Sequence, residues 1–209
     1  MTSQTDSDNK NKQDACSTFV PFSYSHPLHI TERSLPHWQQ KGTTYFITFR
    51  LADSIPIDVI KKIKAERELW LKQHREPYSD DEWCQYNKLF SERIQNLLDA
   101  GSGSCILKNK AVLDIVKNAL LHFEGKRYKL GEWVIMPNHV HVLVKPLNSW
   151  PIEKITHSWK SFTANEINIK IGKTGIVWQH ESYDHIVRSE KQLSLIELYI
   201  INNPKECSS

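Results

Sequence analysis

The chain has 209 residues, of which 39% are hydrophobic and 24% charged, a balance that suits one globular domain with a substantial core. Its formal net charge of +3 permits a polyanionic partner without identifying one. No apolar run reaches the roughly 18 residues of a membrane span, the opening Met1 to Lys12 lacks the apolar centre of a secretory signal, and Cys16, Cys84, Cys105 and Cys207 have neither zinc-cage nor disulfide-framework spacing. These features argue against membrane-spanning, secreted and disulfide-stapled classes, and a cytoplasmic protein is expected.

Residues 1 to about 25 are polar and read as a disordered tail, with one domain over 26–209. After Gly42 the β-branched and aromatic run Thr43 to Leu51 predicts a strand with Tyr45, Ile47 and Phe49 on one face and Thr44, Phe46, Thr48 and Arg50 on the other. Pro56 opens a helix over Ile57 to Gln73, and a second helix from about Asp81 to Asp99 is halted by Gly101-Ser102-Gly103. These two form a helical insertion at about 56–100 beside the main sheet, and their mixed charges suit a solvated face. A helix from about Asn109 to Phe123 carries Val112, Ile115, Val116 and Ala119 at core spacing.

Tyr128 to Ile135 predicts a strand, broken at Pro137-Asn138 and returning antiparallel as His139-Val-His-Val-Leu-Val144. Residues two apart on a strand share a face, so His139 and His141 point together while Val140, Val142 and Val144 anchor the opposite face. Two imidazoles so placed can grip one cation; equally, they can be half-buried strand residues bonded to neighbouring backbone. Pro151 then opens a long helix, ended by Gly172, with Ile152, Ile155, Trp159, Phe162 and Ile167 as buried candidates. The run Ile176 to Arg188 predicts a strand on which Gln179, Glu181, Tyr183 and His185 share a face. Ser189 to Gln192 has the form of a capping box, and the helix it starts is expected to stop at Pro204.

The run Met136-Pro-Asn-His-Val-His-Val-Leu-Val144 resembles the histidine-hydrophobe-histidine (HUH) motif of single-tyrosine transposases, small enzymes that move certain insertion sequences as single-stranded DNA. Tyr45 to Arg50 resembles the first strand of that family, particularly of the branch associated with repetitive extragenic palindromes. His157 to Ala164 resembles its long helix, and Tyr199-Ile-Ile-Asn-Asn-Pro204 its catalytic helix. The resemblance covers about residues 33 to 204. It implies an α+β fold with a ferredoxin-like antiparallel sheet and helices on its faces. It also implies Tyr199 as nucleophile, and Mg2+ or Mn2+ held by His139, His141 and the amide oxygen of Asn203.

Such an enzyme nicks and rejoins single-stranded DNA at a palindromic hairpin. The tyrosine phenol attacks the phosphodiester, and the covalent phosphotyrosine keeps the bond energy for rejoining. Arg50, Lys160, Gln179 and Tyr183 are candidate DNA contacts; Tyr183 is also the rival tyrosine, and its strand setting suits base stacking. His180, Glu181 and His185 are candidates for proton transfer. The family admits homodimers. It usually continues past Asn-Pro with a basic, glycine-containing stretch, whereas this chain reads Lys205 to Ser209, which bears on hairpin binding and product release. A non-catalytic hairpin-binding descendant, and a phosphoester hydrolase using water, are the competing readings.

Overall fold

The computed structural model describes residues 29–32, 36–40, 42–75 and 78–206, so the predicted tail and the termini carrying Cys16 and Cys207 lie outside the described residues. A short antiparallel ribbon, β1 (His29–Glu32) with β2 (Pro36–Gln39), precedes the main sheet. That sheet comprises β3 (Tyr45–Arg50), β4 (Tyr128–Ile135), β5 (His139–Pro146) and β6 (Tyr183–Ile186) in the order β4-β5-β3-β6, with every pair antiparallel. Taken with the helices between β3 and β4 and between β5 and β6, this is the ferredoxin-like α+β arrangement. Among the described residues no helix is long and apolar enough to cross a membrane.

The two faces of the sheet divide the labour along the alternation of its strands. Tyr45, Ile47 and Phe49 of β3 and Val140, Val142 and Val144 of β5 point into the main core. That core is covered by α4 (Lys110–Leu121) and α5 (Ile152–Ile171), which pack on each other. Asn109 caps α4 by accepting from the Ala111 N–H at 2.9 Å, and Gly172, at φ 63°, closes α5 in the left-handed conformation. Trp159 Nε1 donates to Tyr128 Oη, which donates to the Leu120 carbonyl, so the buried polar groups where helices meet sheet are satisfied. Phe162 departs from expectation: it is 53% exposed, because it falls on the solvent side of α5.

The opposite face carries α6 (Glu190–Glu206), whose Ile200 packs with Phe46, Leu143 and Val187. Gln192 makes both contacts of an N-terminal cap, its N–H to Ser189 Oγ and its side-chain oxygen from the Arg188 N–H. Contrary to expectation, α6 does not stop before Pro204. Proline's bias against helical geometry in the residue before it is a preference and not a prohibition, and the helix runs on to Glu206.

Also on that face lies the helical insertion: α1 (Ile57–Gln73), α2 (Asp80–Tyr86), a π-helical stretch (Asn87–Glu92) and α3 (Arg93–Asp99). The single helix expected over 81–99 is therefore widened in its middle, where Phe90 is buried with Ile63 and Trp70. Both ends of the insertion are pinned. Ser104 N–H donates to Asp53 Oδ2 at 2.8 Å, and Asn138 Nδ2 donates to the Ser102 carbonyl at 2.8 Å. Gly103, at φ +91°, passes so close that a Cβ would sit 2.6 Å from the Asp53 carbonyl oxygen.

The predicted strand over 176–188 is regular only at Tyr183–Ile186. Upstream, Gln179 N–H still bonds the Arg50 carbonyl and Leu51 bridges Trp178. The chain breaks where the Gln179 and His180 carbonyls accept from Lys160 Nζ, each at 2.7 Å. Strict alternation from Gln179 to His185 is lost with it.

Gly103→Ala is expected to lower the unfolding free energy by roughly 1–3 kcal/mol through strain. Gly101→Ala, which also needs positive φ but meets open space, should cost only about 1–2 kcal/mol. Urea denaturation of both variants checks the ordering.

A candidate metal and nucleophile site between sheet and insertion

The site grows from the register of β3 and β5, which sets Thr48 beside His141 and Arg50 beside His139. His139, His141 and Asn138 are all fully buried. The Ser102 carbonyl can only accept, so Asn138 turns its Nδ2 there and its Oδ1 toward His139 Nδ1, 2.7 Å away. That oxygen also only accepts, so His139 carries its proton on Nδ1 and leaves Nε2 as a lone pair. His141 Nδ1 lies 2.8 Å from Thr48 Oγ1, while Tyr199 Oη at 3.2 Å and Gln95 Nε2 at 3.4 Å lie beside its Nε2.

The two Nε2 atoms face each other across 2.8 Å. Burial pushes His139 down to about 4, and burial followed by the neighbouring His139 lowers His141 well below the ordinary imidazole value. Both are neutral at pH 7 and ready to bind a cation.

The third group was not evident from the sequence. Asp99, the last residue of α3, places Oδ1 3.5 Å from His139 Nε2 and Oδ2 3.3 Å from Tyr199 Oη. Ligand atoms of Asp99, His139 and His141 lie within 4.8 Å of one another. Two imidazoles and one carboxylate with open positions form a donor set for a divalent transition-type cation. Mn2+ suits the nitrogen donors better than Mg2+, which prefers oxygen. Asn203 is buried one turn beyond Tyr199, and among the described residues its Nδ2 has no hydrogen-bond partner. A buried amide left with an unused group suits a role toward something bound there.

Tyr199 is half-buried on α6, its ring edge-on to Phe46 and to His141. Burial and then the Asp99 carboxylate raise its phenol above the ordinary value, while the Gln95 and Asn203 amides offset part of this. Gln95 and Asp99 are four apart on α3, just as Tyr199 and Asn203 are on α6, so each helix presents one face to the histidines. Ser91, four residues before Gln95, accepts from Tyr183 Oη at 3.3 Å. The insertion is thus part of the site, not a neighbour of the sheet. Four-residue spacing ahead of the Gly101 stop was the only trace of this in the sequence.

The remaining candidates divide. Arg50, Gln179 and Tyr183 line one cavity next to Thr48 and Gln95. The ammonium of Lys160 is held by two carbonyls and Ser182 Oγ, and burial lowers it to about 8; it fastens the 179–182 segment. His185 bonds the Gln192 side chain and His180 is exposed.

Three comparisons bear on this geometry. The family model described as "Transposase IS200 like" matches residues 106–203. A protein of Haemophilus influenzae (strain ATCC 51907 / DSM 11121 / KW20 / Rd) with no assigned function is 30% identical over 97 aligned residues, covering 36% of this chain and 54% of that protein; the chain thus spans about half the length of the curated relative it matches. A solved structure described as a REP-associated tyrosine transposase bound to a REP hairpin aligns over 84% of this chain and 74% of its own, at 16% identity and a TM-score of 0.50. That likeness shows a shared fold.

The buried neutral histidines have a pH consequence. His139, His141 and His185, the last pushed down to about 4 by burial and Arg188, bind fewer protons folded than unfolded. Stability in chelator should therefore fall as pH drops from about 6.5 toward 4, by up to about 1.4 kcal/mol per pH unit for each. His185→Gln should remove its share; denaturant melts at stepped pH measure the slope.

Proposed function

We propose that this chain, whose residues 106–203 match the family model described as "Transposase IS200 like", nicks and rejoins single-stranded DNA beside a hairpin, using Tyr199 as nucleophile. The observation that carries this reading is the Tyr199 hydroxyl within 3.2 Å of His141 Nε2 and 3.3 Å of Asp99. A nucleophile is thereby set against a cluster able to hold a metal. A core tyrosine in an apolar helix would have no reason to reach a buried histidine pair and a carboxylate.

His139, His141 and Asp99 would hold Mn2+ or Mg2+, with Asn203 as the further polar contact. When bound, the cation supplies charge neutralisation at the scissile phosphate and favours loss of the phenol proton. The Tyr199 oxygen attacks phosphorus as the bond to the 3′ oxygen breaks, and the leaving oxygen takes up a proton to become a 3′ hydroxyl. Rejoining is the reverse, with an incoming 3′ hydroxyl displacing tyrosine from its 5′ phosphate.

Asn138 and Thr48 hold the imidazoles in the required tautomers, and Phe46 fixes the plane of His141 by stacking at 5.4 Å. Arg50, Gln179 and Tyr183 form the wall along which the strand is presented. Lys160 acts by shaping the 179–182 segment of that wall. The hairpin as substrate, and the branch associated with repetitive extragenic palindromes, are supported by the strand and helix motifs and by the shared fold.

Purified protein with end-labelled single-stranded hairpins from the flanks of its own gene, in Mn2+, is expected to give a covalent protein–DNA band on a denaturing gel. Tyr199→Phe should abolish it, and chelator or His139→Ala should reduce it by at least about 100-fold. Tyr183→Phe should retain it. Hairpins that shift on a native gel but never form the band would instead identify a non-catalytic binding protein.

A further inference from the structure

A cavity of about 130 Å3 lies between the insertion and the sheet, directly beside the histidine pair. Thr48 and Gln95, the two residues that touch the ring nitrogens of His141, also line it, so anything seated there adjoins the Tyr199 site. Its walls have a mixed character. Ile60, Ile63 and Ile94 make an aliphatic lining, and Phe90 of the insertion and Tyr183 of β6 add aromatic walls. Phe90 is 5% exposed, and Tyr183 is tethered to Ser91, so both rings are held in place.

Around the same space stand three cations, Arg50, Lys64 and Arg67, against one acid, Glu181. Arg50 has one guanidinium nitrogen on Ser54, Arg67 uses Nε on Tyr86, and Lys64 lies 4.0 Å from Glu181. An apolar slot with aromatic walls and cationic groups does not suit a free anion, which would meet the isoleucines, nor an alkyl chain, which would bury the arginines. It suits a flat uncharged ring that carries a phosphate, recognised by stacking and by charge. Size narrows the choice, since a cavity of roughly 150 Å3 takes up a single benzene ring.

We infer that this cavity seats one unpaired pyrimidine nucleotide of the DNA strand, next to the phosphate presented to Tyr199. The inference rests on the proposed single-strand DNA reading and adds to it a base subsite built largely by the insertion. Stacking is provided by Phe90 and Tyr183, and the Gln179 amide, which also lines the cavity, is available to the ring edge. The nucleotide's phosphate meets Arg50 and Arg67. A purine's second ring exceeds the space, so the site discriminates by ring size.

The test uses the whole chain and hairpin oligonucleotides whose single-stranded flank is scanned, one position at a time, with abasic sites and with purine-for-pyrimidine changes. Binding is read by fluorescence anisotropy and cleavage by the covalent band. One flank position should be singled out, with affinity lost about fivefold or more for either change. Ile60→Trp, which fills the cavity from a half-exposed helix position, should bind the unmodified and abasic strands equally, at the wild-type abasic level. A second readout needs no variant: pyrrolo-cytosine at that position should change fluorescence on binding, and at neighbouring positions it should not. A scan that is flat while hairpins are bound and the covalent band forms overturns this subsite and leaves the proposed function standing. Absence of both binding and the band overturns both.

Discussion

Two imidazole Nε2 atoms facing one another across 2.8 Å in a fully buried setting are the constraint on which the rest of the structure depends. Burial keeps both imidazoles neutral, and a neutral pair so placed can share a hydrogen bond or turn both Nε2 atoms to a cation. The protein enforces the arrangement from outside, through the Asn138 oxygen on one ring and the Thr48 hydroxyl on the other. Each support has its own anchor. Thr48 is fixed by the pairing of β3 with β5, and Asn138 by its bond to Ser102 at the end of the insertion. The four-strand order of the sheet is thereby tied to the electronic state of two ring nitrogens.

The insertion gives the site its second half. Ser91, Gln95 and Asp99 recur every four residues and meet Tyr183, His141, and the His139–Tyr199 pair respectively. A helix that only shielded the sheet would present apolar groups here, as α4 and α5 do on the other face. Its pinned ends, with Gly103 pressed against Asp53 and Ser104 bonded to it, hold that polar stripe in register with the strand histidines. Sheet, α6 and insertion each contribute a part that the others lack.

Much of this was legible in the sequence where one local rule decides the outcome. Strand alternation put His139 and His141 on one face and the valines in the core, and helical spacing set Tyr199 with Asn203. Asp99 escaped, because its role is created by a contact across 40 positions to His139 and 100 to Tyr199, and a lone acid at a helix end has no local signature. The 176–188 run misled for a related reason. Its polar and aromatic alternation resembles a strand, but the bonds from Lys160 to two of its carbonyls are tertiary and divert the backbone. Pro204 shows another limit: the bias proline places on the residue before it is a preference, and here the helix continues through it.

Strand and insertion together bring His139, His141 and Asp99 into one candidate metal centre. Calorimetric titration of the full chain with Mn2+ at pH 7 tests it most directly, comparing wild type with Asp99→Asn and His141→Ala. One ion per chain is expected, with affinity reduced about tenfold or more by Asp99→Asn and lost in His141→Ala. Binding that survives His141→Ala, or that is indifferent to Asp99→Asn, would contradict the account.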